Sequence, residues 1–352
     1  MSKITIRTVA EKAGVSLSTV SRVLNGNQSV DPAMAERVQA AVRALGYNPP
    51  ALSHSGAEQG KHIALVVPAL VDTYFNIIGA GVIDTAMNNG QEVIVMHSQS
   101  DPARERQCFE RLARSGVDGI IFSGISGWNP LDDFPFLRTI PMVVTARRQI
   151  IPDVPHIYHD NIAAGYMATK YMLRLKRKNI ALMVNFWMDQ IRDYDTFMDA
   201  YQSPAQGTCT AFDRYTGYAQ ALEEEGLSVD PGLIIFSGFS HESGYASAQQ
   251  LLASPRDFDG VLVPNDRCAT GVLRMLREQG LSVPGQVSVI CFNGGLIANV
   301  VSPALTMIEQ NNYELGVQAA TQLNELLCGR EGHDVKLDVS LAIKGSTALA
   351  VK

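Results

Sequence analysis

Residues 5–25 read TIRTVAEKAGVSLSTVSRVLN, and this stretch decides the fold of the amino-terminal part of the chain. It predicts two short helices joined by a tight turn. Thr5 and Ser16 supply side-chain oxygens that can cap the two helices, and Gly14 stands where the first helix must end. Small apolar side chains let the two helices cross closely; they are Val9, Ala10, Ala13, Val15, Val20, Val23 and Leu24.

The outward face of the second helix is rich in hydroxyl and amide groups and carries one cation. It consists of Leu17, Ser18, Thr19, Ser21, Arg22 and Asn25. Such a face suits the major groove of DNA, because hydroxyls and amides bond phosphate oxygens and an arginine can fork onto guanine. The alternative interpretation is a plain helical hairpin in which the same residues are solvated.

The chain after this stretch continues with one more helix and then a connector. Asp31-Pro32 is an N-cap followed by a first-turn proline, and it predicts a third helix over residues 33–45. Residues 48–61 read NPPALSHSGAEQGK, a proline-, serine- and glycine-rich composition that is typical of a linker.

From His62 onward, short β-branched runs alternate with amphipathic helical stretches. The first series contains the runs HIALVVP, EVIVMH, VDGIIFSG and PMVVTA, and the second contains NIALMV, GLIIFSG, DGVLVP and VSVICF. This alternation predicts two doubly wound parallel sheets, and a cleft between their strand ends is a natural site for a small molecule. No glycine-rich dinucleotide fingerprint or phosphate-binding loop follows a strand, so we expect no cofactor.

Composition and charge narrow the class of protein further. The 352 residues carry a net charge of −6, but residues 1–61 carry +3 and the remainder −9. A basic head on an acidic body fits a protein that docks one end on DNA. Five scattered cysteines predict buried reduced thiols and neither disulfides nor a metal site. No signal peptide or membrane-spanning run is found, so we expect a cytoplasmic protein that does not bind membranes.

Several stretches resemble one family over nearly the whole chain. VAEKAGVSLSTVSRVLNG, residues 9–26, closely resembles the helix-turn-helix of the lac repressor family of bacterial transcription regulators. Residues 72–124, 263–293 and 302–316 are similar to blocks of that family's effector-binding core, which resembles periplasmic sugar-binding proteins. The resemblance implies a dimeric repressor on a pseudo-palindromic operator, whose operator affinity is controlled by a small metabolite, a sugar or related polar ligand, bound between two subdomains.

The implied architecture is a small all-α helix-turn-helix head followed by an α/β core of two doubly wound subdomains. We predict the head over residues 1–46, the hinge over 47–61 and the core over 62–352. The amino-terminal subdomain is predicted over 62–161 and 294–325, and the carboxyl-terminal subdomain over 162–293 and 326–352.

The resemblance also implies site residues. In the head, Leu17, Ser18 and Arg22 fall at base-reading positions, and Thr5, Ser16, Thr19, Ser21 and Asn25 fall at phosphate-contacting ones. In the core, the positions that match effector contacts are Tyr74, Phe75, Arg147, Arg214, Phe239, Asn265 and Asn293.

Each core position has a structural alternative. Arg214 could pair with Asp213 or a nearby Glu on the surface, and Phe75 and Phe239 could be ordinary core aromatics. Asp266 is interpreted as a helix cap rather than a ligand contact.

Four departures from the family pattern affect function. Gly56 occupies the position of the hinge residue that wedges into the minor groove, which disfavours a stable hinge helix. Asn293 stands where many sugar-responsive members carry Asp. Lys176-Arg177 replaces a usual Gly-His, and the segment 185–213 is longer than usual. The donors at the expected cleft favour an anionic or polyhydroxylated ligand.

Two other function classes compete with the repressor. The first is a metabolite-binding module whose DNA binding is weakened by the atypical hinge. An enzyme on a doubly wound fold is the other, and we expect no enzymatic activity, because no nucleophile–base constellation accompanies the fold.

Overall fold

The computed structural model describes residues 5–24, 31–45, 61–124, 129–147, 151–186, 191, 193–203 and 209–350. Two compact units divide the chain, a head that runs to residue 59 and a core that contains nearly all the rest. No helix in the described ranges is long and apolar enough to cross a membrane. All five cysteines are free thiols, and Cys328 is exposed, whereas all five were expected to be buried.

Three helices build the head: α1 (Ile6–Ala13), α2 (Leu17–Leu24) and α3 (Pro32–Leu45). The Thr5 hydroxyl accepts a hydrogen bond from the Thr8 amide at 3.4 Å, and Gly14 ends α1 with a left-handed φ of 63°. Val9, Val20 and Val38 are completely buried between the helices, so each apolar side chain stabilises the packing by about 1.5–3 kcal/mol. The predicted hinge over 47–61 lies, apart from its last residue, outside the described residues.

The first lobe of the core is a six-stranded parallel sheet in the order β11-β5-β4-β3-β1-β2. Its strand HIALVV, which lies between β3 and the edge strand β2, is buried on both faces, as expected of a β-branched run between two helical layers. The elements of this lobe are β1 (His62–Val67), α4 (Thr73–Asn88), β2 (Glu92–His97), α5 (Pro102–Ser115), β3 (Gly119–Phe122), α6 (Pro130–Asp133), β4 (Met142–Thr145), β5 (His156–His159), α13 (Asn312–Leu327) and β11 (Val335–Leu337).

The second lobe repeats the plan with the sheet order β12-β10-β9-β8-β6-β7. All its strand pairs are parallel except β10 with β12. Its elements are α7 (Asn161–Arg174), β6 (Ile180–Asn185), α8 (Tyr194–Gln202), α9 (Thr210–Glu223), β7 (Ile234–Ser237), α10 (His241–Ala253), β8 (Gly260–Val263), α11 (Asp266–Glu278), β9 (Ser288–Phe292), α12 (Leu296–Val300), β10 (Thr306–Gln310) and β12 (Val339–Ala342). The predicted fold class of the core, two doubly wound sheets, is confirmed.

The chain crosses between the lobes at three places, and two predicted crossings were wrong. The first crossing lies between β5, which joins the first sheet, and α7, which begins after its N-cap Asp160. Residues 294–310 were assigned to the first subdomain, but β10 pairs with β9 and β12 in the second sheet. Residues 326–337 were assigned to the second subdomain, but β11 pairs with β5 in the first sheet. Strand partners are chosen by tertiary pairing, which a short β-rich run does not reveal.

Pairs of glycines let helices of the core approach each other at backbone distance. A Cβ at Gly165 of α7 would lie 2.1 Å from the Arg214 carbonyl oxygen, and one at Gly217 of α9 would lie 2.0 Å from the Ile162 carbonyl oxygen. Gly81 and Gly316 pack α4 on α13 in the same reciprocal way. These positions exclude any side chain because the obstructing atoms belong to the backbone.

The long segment predicted over 185–213 contains an additional helix, α8, which the sequence pattern did not reveal. The buried ring of Phe197 in α8 lies at the centre of an aromatic cluster with Phe186, Phe212, Tyr215 and Phe236, at ring-centroid distances of 5.0–5.9 Å. The helix begins at a capping box formed by Asp193. The next helix, α9, begins at Thr210.

Candidate functional site

The predicted reading face of the head is solvent-exposed on α2. The side chains of Leu17, Ser18 and Arg22 are exposed, Leu17 at 43%, while Val20 on the opposite face is completely buried. This exposure therefore leaves the three predicted base-reading side chains free to enter a groove.

The predicted phosphate-contacting residues lie at the helix starts. The Ser16 hydroxyl accepts from the Thr19 amide at 3.2 Å and bonds the hydroxyls of Ser18 and Thr19, each at 2.8 Å. Thr5 is exposed at the start of α1. Ser21 lies in α2, its side chain is not among those described, and Asn25 lies outside the described residues. Helix N-termini with hydroxyl caps are suitable partners for phosphate oxygens.

A cavity of about 900 Å³, including its open mouth, lies between the two lobes of the core. It is lined at the carboxyl ends of strands from both sheets, where doubly wound folds bind ligands. All seven residues predicted to contact an effector line it: Tyr74, Phe75, Arg147, Arg214, Phe239, Asn265 and Asn293. They come from six elements or loops, because Tyr74 and Phe75 are neighbours in α4 and the other five positions lie far apart in the sequence.

Arg214 is the most deeply held charge of the cavity. Its side chain is 7% exposed, donates from Nε to Asn161 Oδ1 at 3.2 Å and from Nη1 to the Pro264 carbonyl oxygen at 3.1 Å. The guanidinium lies over the ring of Phe292 at 4.3 Å. The surface pairing considered from the sequence is therefore wrong. Burial lowers the pKa of Arg214 to about 10, so the group remains charged at neutral pH.

Aromatic side chains form much of the wall. The rings of Tyr74 and Phe75 meet edge to face at 5.0 Å where α4 begins, and Phe186 and Phe239 line the opposite lobe. Burial raises the pKa of the Tyr74 hydroxyl, which therefore stays protonated and can donate or accept a hydrogen bond. Phe75 is also buried against the core of the first lobe, so the core-aromatic alternative is correct for part of its surface.

Two predicted asparagines have structural bonds besides their place in the wall. Asn265 caps α11, because its Oδ1 accepts from the Cys268 amide at 2.7 Å, and its Nδ2 donates to the Phe239 carbonyl oxygen at 3.1 Å. The cap was expected at Asp266, which instead accepts from the Gly295 amide at 2.8 Å. Asn293 has a left-handed φ of 51°, and its Oδ1 accepts from Asn312 Nδ2 of the other lobe at 2.7 Å.

Sequence reasoning missed several residues of the wall. At two lobe crossings, Gln310 Nε2 donates to Asn161 Oδ1 at 3.1 Å, and the same oxygen accepts from Arg214 Nε. Asn185 ends β6, and its Nδ2 is buried without a hydrogen-bond partner in the described part of the chain. Asp72 caps α4 through the Tyr74 amide. A search for polar residues directly after each predicted strand could have found Asn185.

The head and the core together indicate a class of protein. A three-helix head with an exposed reading face, joined in one chain to a two-lobed core that encloses a cavity, is the organisation of a DNA-binding regulator that responds to a small ligand.

Comparison with known proteins agrees with this class. Residues 5–50 match the family model of bacterial regulatory proteins of the lacI family, and residues 169–347 match a periplasmic binding protein-like domain. The transcriptional repressor CytR of Escherichia coli (strain K12) is 30% identical over 349 residues, covering 97% of this chain and 96% of CytR. The transcriptional regulator RegA of Clostridium saccharobutylicum is 29% identical and covers 93% of each chain.

Solved structures show the same fold. The transcriptional regulator CelR in complex with cellobiose superposes with a TM-score of 0.71 at 26% identity, covering 98% of this chain and all of that one. The lac repressor dimer bound to operator and the anti-inducer ONPF shares the fold at a TM-score of 0.68 and 23% identity, covering 99% of this chain and all of that one.

The chain belongs to the lacI family of bacterial regulatory proteins. It is a DNA-binding transcription regulator with an effector-binding core. Family membership does not favour the alternative of a binding module that has lost tight DNA binding, and the relatives named above are transcription regulators rather than enzymes.

Proposed function

We propose that the chain represses transcription as a homodimer on a pseudo-palindromic operator, and that a small effector in the cavity sets its operator affinity. The observation that carries the proposal is the convergence of Tyr74, Arg147, Arg214 and the other four predicted residues on one cavity between two lobes. A ligand there contacts both lobes, so it shifts the equilibrium between lobe arrangements by its differential affinity for them. The relative CytR is named a repressor, which supports repression of transcription, as opposed to activation, for this chain.

The homodimer is supported by apolar side chains that are exposed on both lobes of the core. On the first lobe, Ile94 and Val95 of the edge strand β2 are 41% and 37% exposed. On the second lobe, Leu296 and Val300 of α12 and Ile343 after β12 are 74%, 70% and 61% exposed. Burial against a second copy removes these side chains from water.

A protein that binds chromosomal DNA in a bacterium works in the cytoplasm.

Operator reading is assigned to α2. Leu17, Ser18 and Arg22 contact base edges in the major groove, and Thr5, Ser16, Thr19, Ser21 and Asn25 contact phosphates. Arg22 is the only cation of the reading face, so it is the residue with the largest expected effect on sequence discrimination.

The test is DNase footprinting of the DNA upstream of the gene and its neighbours, followed by affinity measurement on the protected site. We expect protection of two half-sites related by approximate two-fold symmetry. Arg22→Ala should lower discrimination between this site and random DNA by about 10- to 100-fold, because a bidentate arginine–guanine pair contributes about 1–3 kcal/mol.

Arg37→Ala on α3 is the matched control, since it removes the same charge from an exposed position away from the reading face. It should weaken specific and random DNA alike or leave both unchanged. Equal discrimination by the wild type and the Arg22→Ala protein would refute the assignment of α2 as the recognition helix.

A further inference from the structure

The guanidinium of Arg214 is a buried cation that forms no contact ion pair in the part of the chain that the structure describes. No carboxylate among the described residues lies within 4 Å of it, and its two hydrogen bonds go to neutral oxygens of Asn161 and Pro264. Its side chain is 93% buried. A buried charge without a counter-charge destabilises the folded state strongly, so a protein that retains one has a use for it.

The nearest charge of opposite sign is the buried carboxylate of Asp213, which precedes Arg214 in α9 and favours its charged form without forming a contact ion pair with it. The groups that line the cavity near the lobe crossings are the neutral amides of Asn161, Asn293 and Gln310. Asp72 is the carboxylate of the described lining, but its Oδ1 accepts from the Tyr74 amide at 2.9 Å. The charges that act on Asp72 are those of Arg267 and Asp266, on the other side of the lobe interface.

Further donors face the same cavity from other elements. Nδ2 of Asn185 is buried and has no hydrogen-bond partner in the described ranges. The 14-residue helix α9 begins in the cavity wall with Cys209, Thr210 and Ala211, and no side-chain hydrogen bond caps its first turn. Uncapped amides at a helix N-terminus and an unpartnered amide nitrogen both favour a negative group.

The remainder of the wall suits the body of a ring compound. Phe75, Phe186 and Phe239 are contributed by both lobes, and Phe186 is supported from behind by the α8 cluster. Aromatic faces accept flat or apolar ring faces, whereas the amide side chains can bond hydroxyls or ring nitrogens.

Resting on the proposed function of this cavity as the effector site, we infer that the effector is a small ring-containing organic anion. Its carboxylate or phosphate group lies against Arg214, Asn185 and the start of α9. The anion compensates the buried guanidinium in the complex, so a neutral sugar of the same shape binds more weakly. This inference selects the anionic class from the two classes that the sequence left open.

The test compares neutral and anionic ligands that share one body. The sets are glucose with glucuronate and glucose 6-phosphate, adenosine with AMP, and benzamide with benzoate, at equal ionic strength. The full-length protein is assayed with each ligand by thermal unfolding and by affinity for its footprinted DNA site, and inorganic phosphate and citrate serve as additional anion probes. We expect the anion of at least one set to bind ten times more tightly than its neutral partner, a difference of about 1.4 kcal/mol.

Three variants test whether the preference for the anionic ligand depends on Arg214. Arg214→Gln should abolish the difference between anion and neutral partner, and Arg214→Lys should restore part of it because it keeps the charge. Arg274→Gln, an exposed change on α11, should leave it intact. Comparison of glucuronate with glucose 6-phosphate distinguishes a carboxylate from a phosphate.

Two outcomes overturn the inference in distinguishable ways. A neutral ligand that binds as tightly as its anionic partner, and changes DNA affinity, refutes the anionic class while the proposed function stands. An anion preference that survives Arg214→Gln also refutes it. No response to any set or probe by a protein that binds its DNA site refutes both the inference and the effector function of the cavity.

Discussion

Replacing Gly165 by alanine tests how closely helix packing and the cavity are connected. Gly165 lies in α7, and a Cβ there would stand 2.1 Å from the carbonyl oxygen of Arg214 and 2.9 Å from its Cα. Real Cβ atoms stay at least 3.0 Å from such neighbours, so α7 and α9 must separate by about 0.9 Å, the difference between 3.0 and 2.1 Å. No side chain can rotate away, because both obstructing atoms are backbone.

The expected magnitude follows from two opposing terms. Overpacking of this kind destabilises a core by about 1–3 kcal/mol, and a gap approaching 1 Å forfeits a quarter to a half of each dispersion contact it opens. The greater helix propensity of alanine offsets up to about 1 kcal/mol. The same shift moves Arg214, whose Nε–Oδ1 bond to Asn161 is already 3.2 Å long, so ligand affinity should fall together with stability.

Gly79→Ala is the matched control for this substitution. Gly79 is also buried within a helix, but its added Cβ meets only a methyl carbon of Leu65 at 3.6 Å, an ordinary contact. Urea unfolding followed by circular dichroism should show Gly79→Ala as stable as wild type or up to about 1 kcal/mol more stable. Equal stability of the two variants would refute the backbone-contact reasoning.

Two further predictions concern the second lobe and the lobe crossings. Arg177→Lys should lower the free energy of unfolding, measured in urea, by about 3 kcal/mol. The reason is that a lysine cannot donate to all the carbonyl oxygens that Arg177 bonds, which are those of Pro284, Gly285, Gln286 and Ala348. Lys178→Arg, a change at an exposed position, is the control. His159 is buried, which lowers its pKa from 6.5 to about 4. Between these values the unfolded chain binds a proton that the folded one does not, so stability should fall by about 3 kcal/mol as pH drops from 6.5 to 4. His159→Gln should make this decline shallower in unfolding titrations, and an unchanged pH profile would contradict the assignment.

Much of the fold could be read from local patterns. Thr5, Gly14, Ser16 and the Asp31-Pro32 pair fixed the limits of three helices, because caps and left-handed turns depend on residues only a few positions apart. The strands that contain residues 62–67 and 288–292 were recognised because continuous β-branched runs are typical of buried parallel strands. The runs at β5, β10, β11 and β12 mix polar and apolar residues instead of forming a continuous β-branched run, and they were missed.

The effector-site residues were predicted from family resemblance and not from any local pattern. The resemblance selected Tyr74, Arg214 and Phe239, which are far apart in the chain, and the structure places them in one cavity wall. Their function as effector contacts remains a prediction, as does base reading by Leu17, Ser18 and Arg22. Asn161 and Gln310 were not predicted because their importance lies in a bond between two lobe crossings.

The sequence by itself determined the class of this protein: a helix-turn-helix head, a strand–helix core in two series, and the opposite signs of the net charge on these two parts. These properties are local or additive, so neighbouring residues suffice to encode them. Only the tertiary structure decided which sheet β10 and β11 join, how closely α7 lies against α9, and that Arg214 is buried without a contact ion pair among the described residues. Burial and charge pairing depend on atoms that are distant in the chain, and the chemistry of the cavity follows from them.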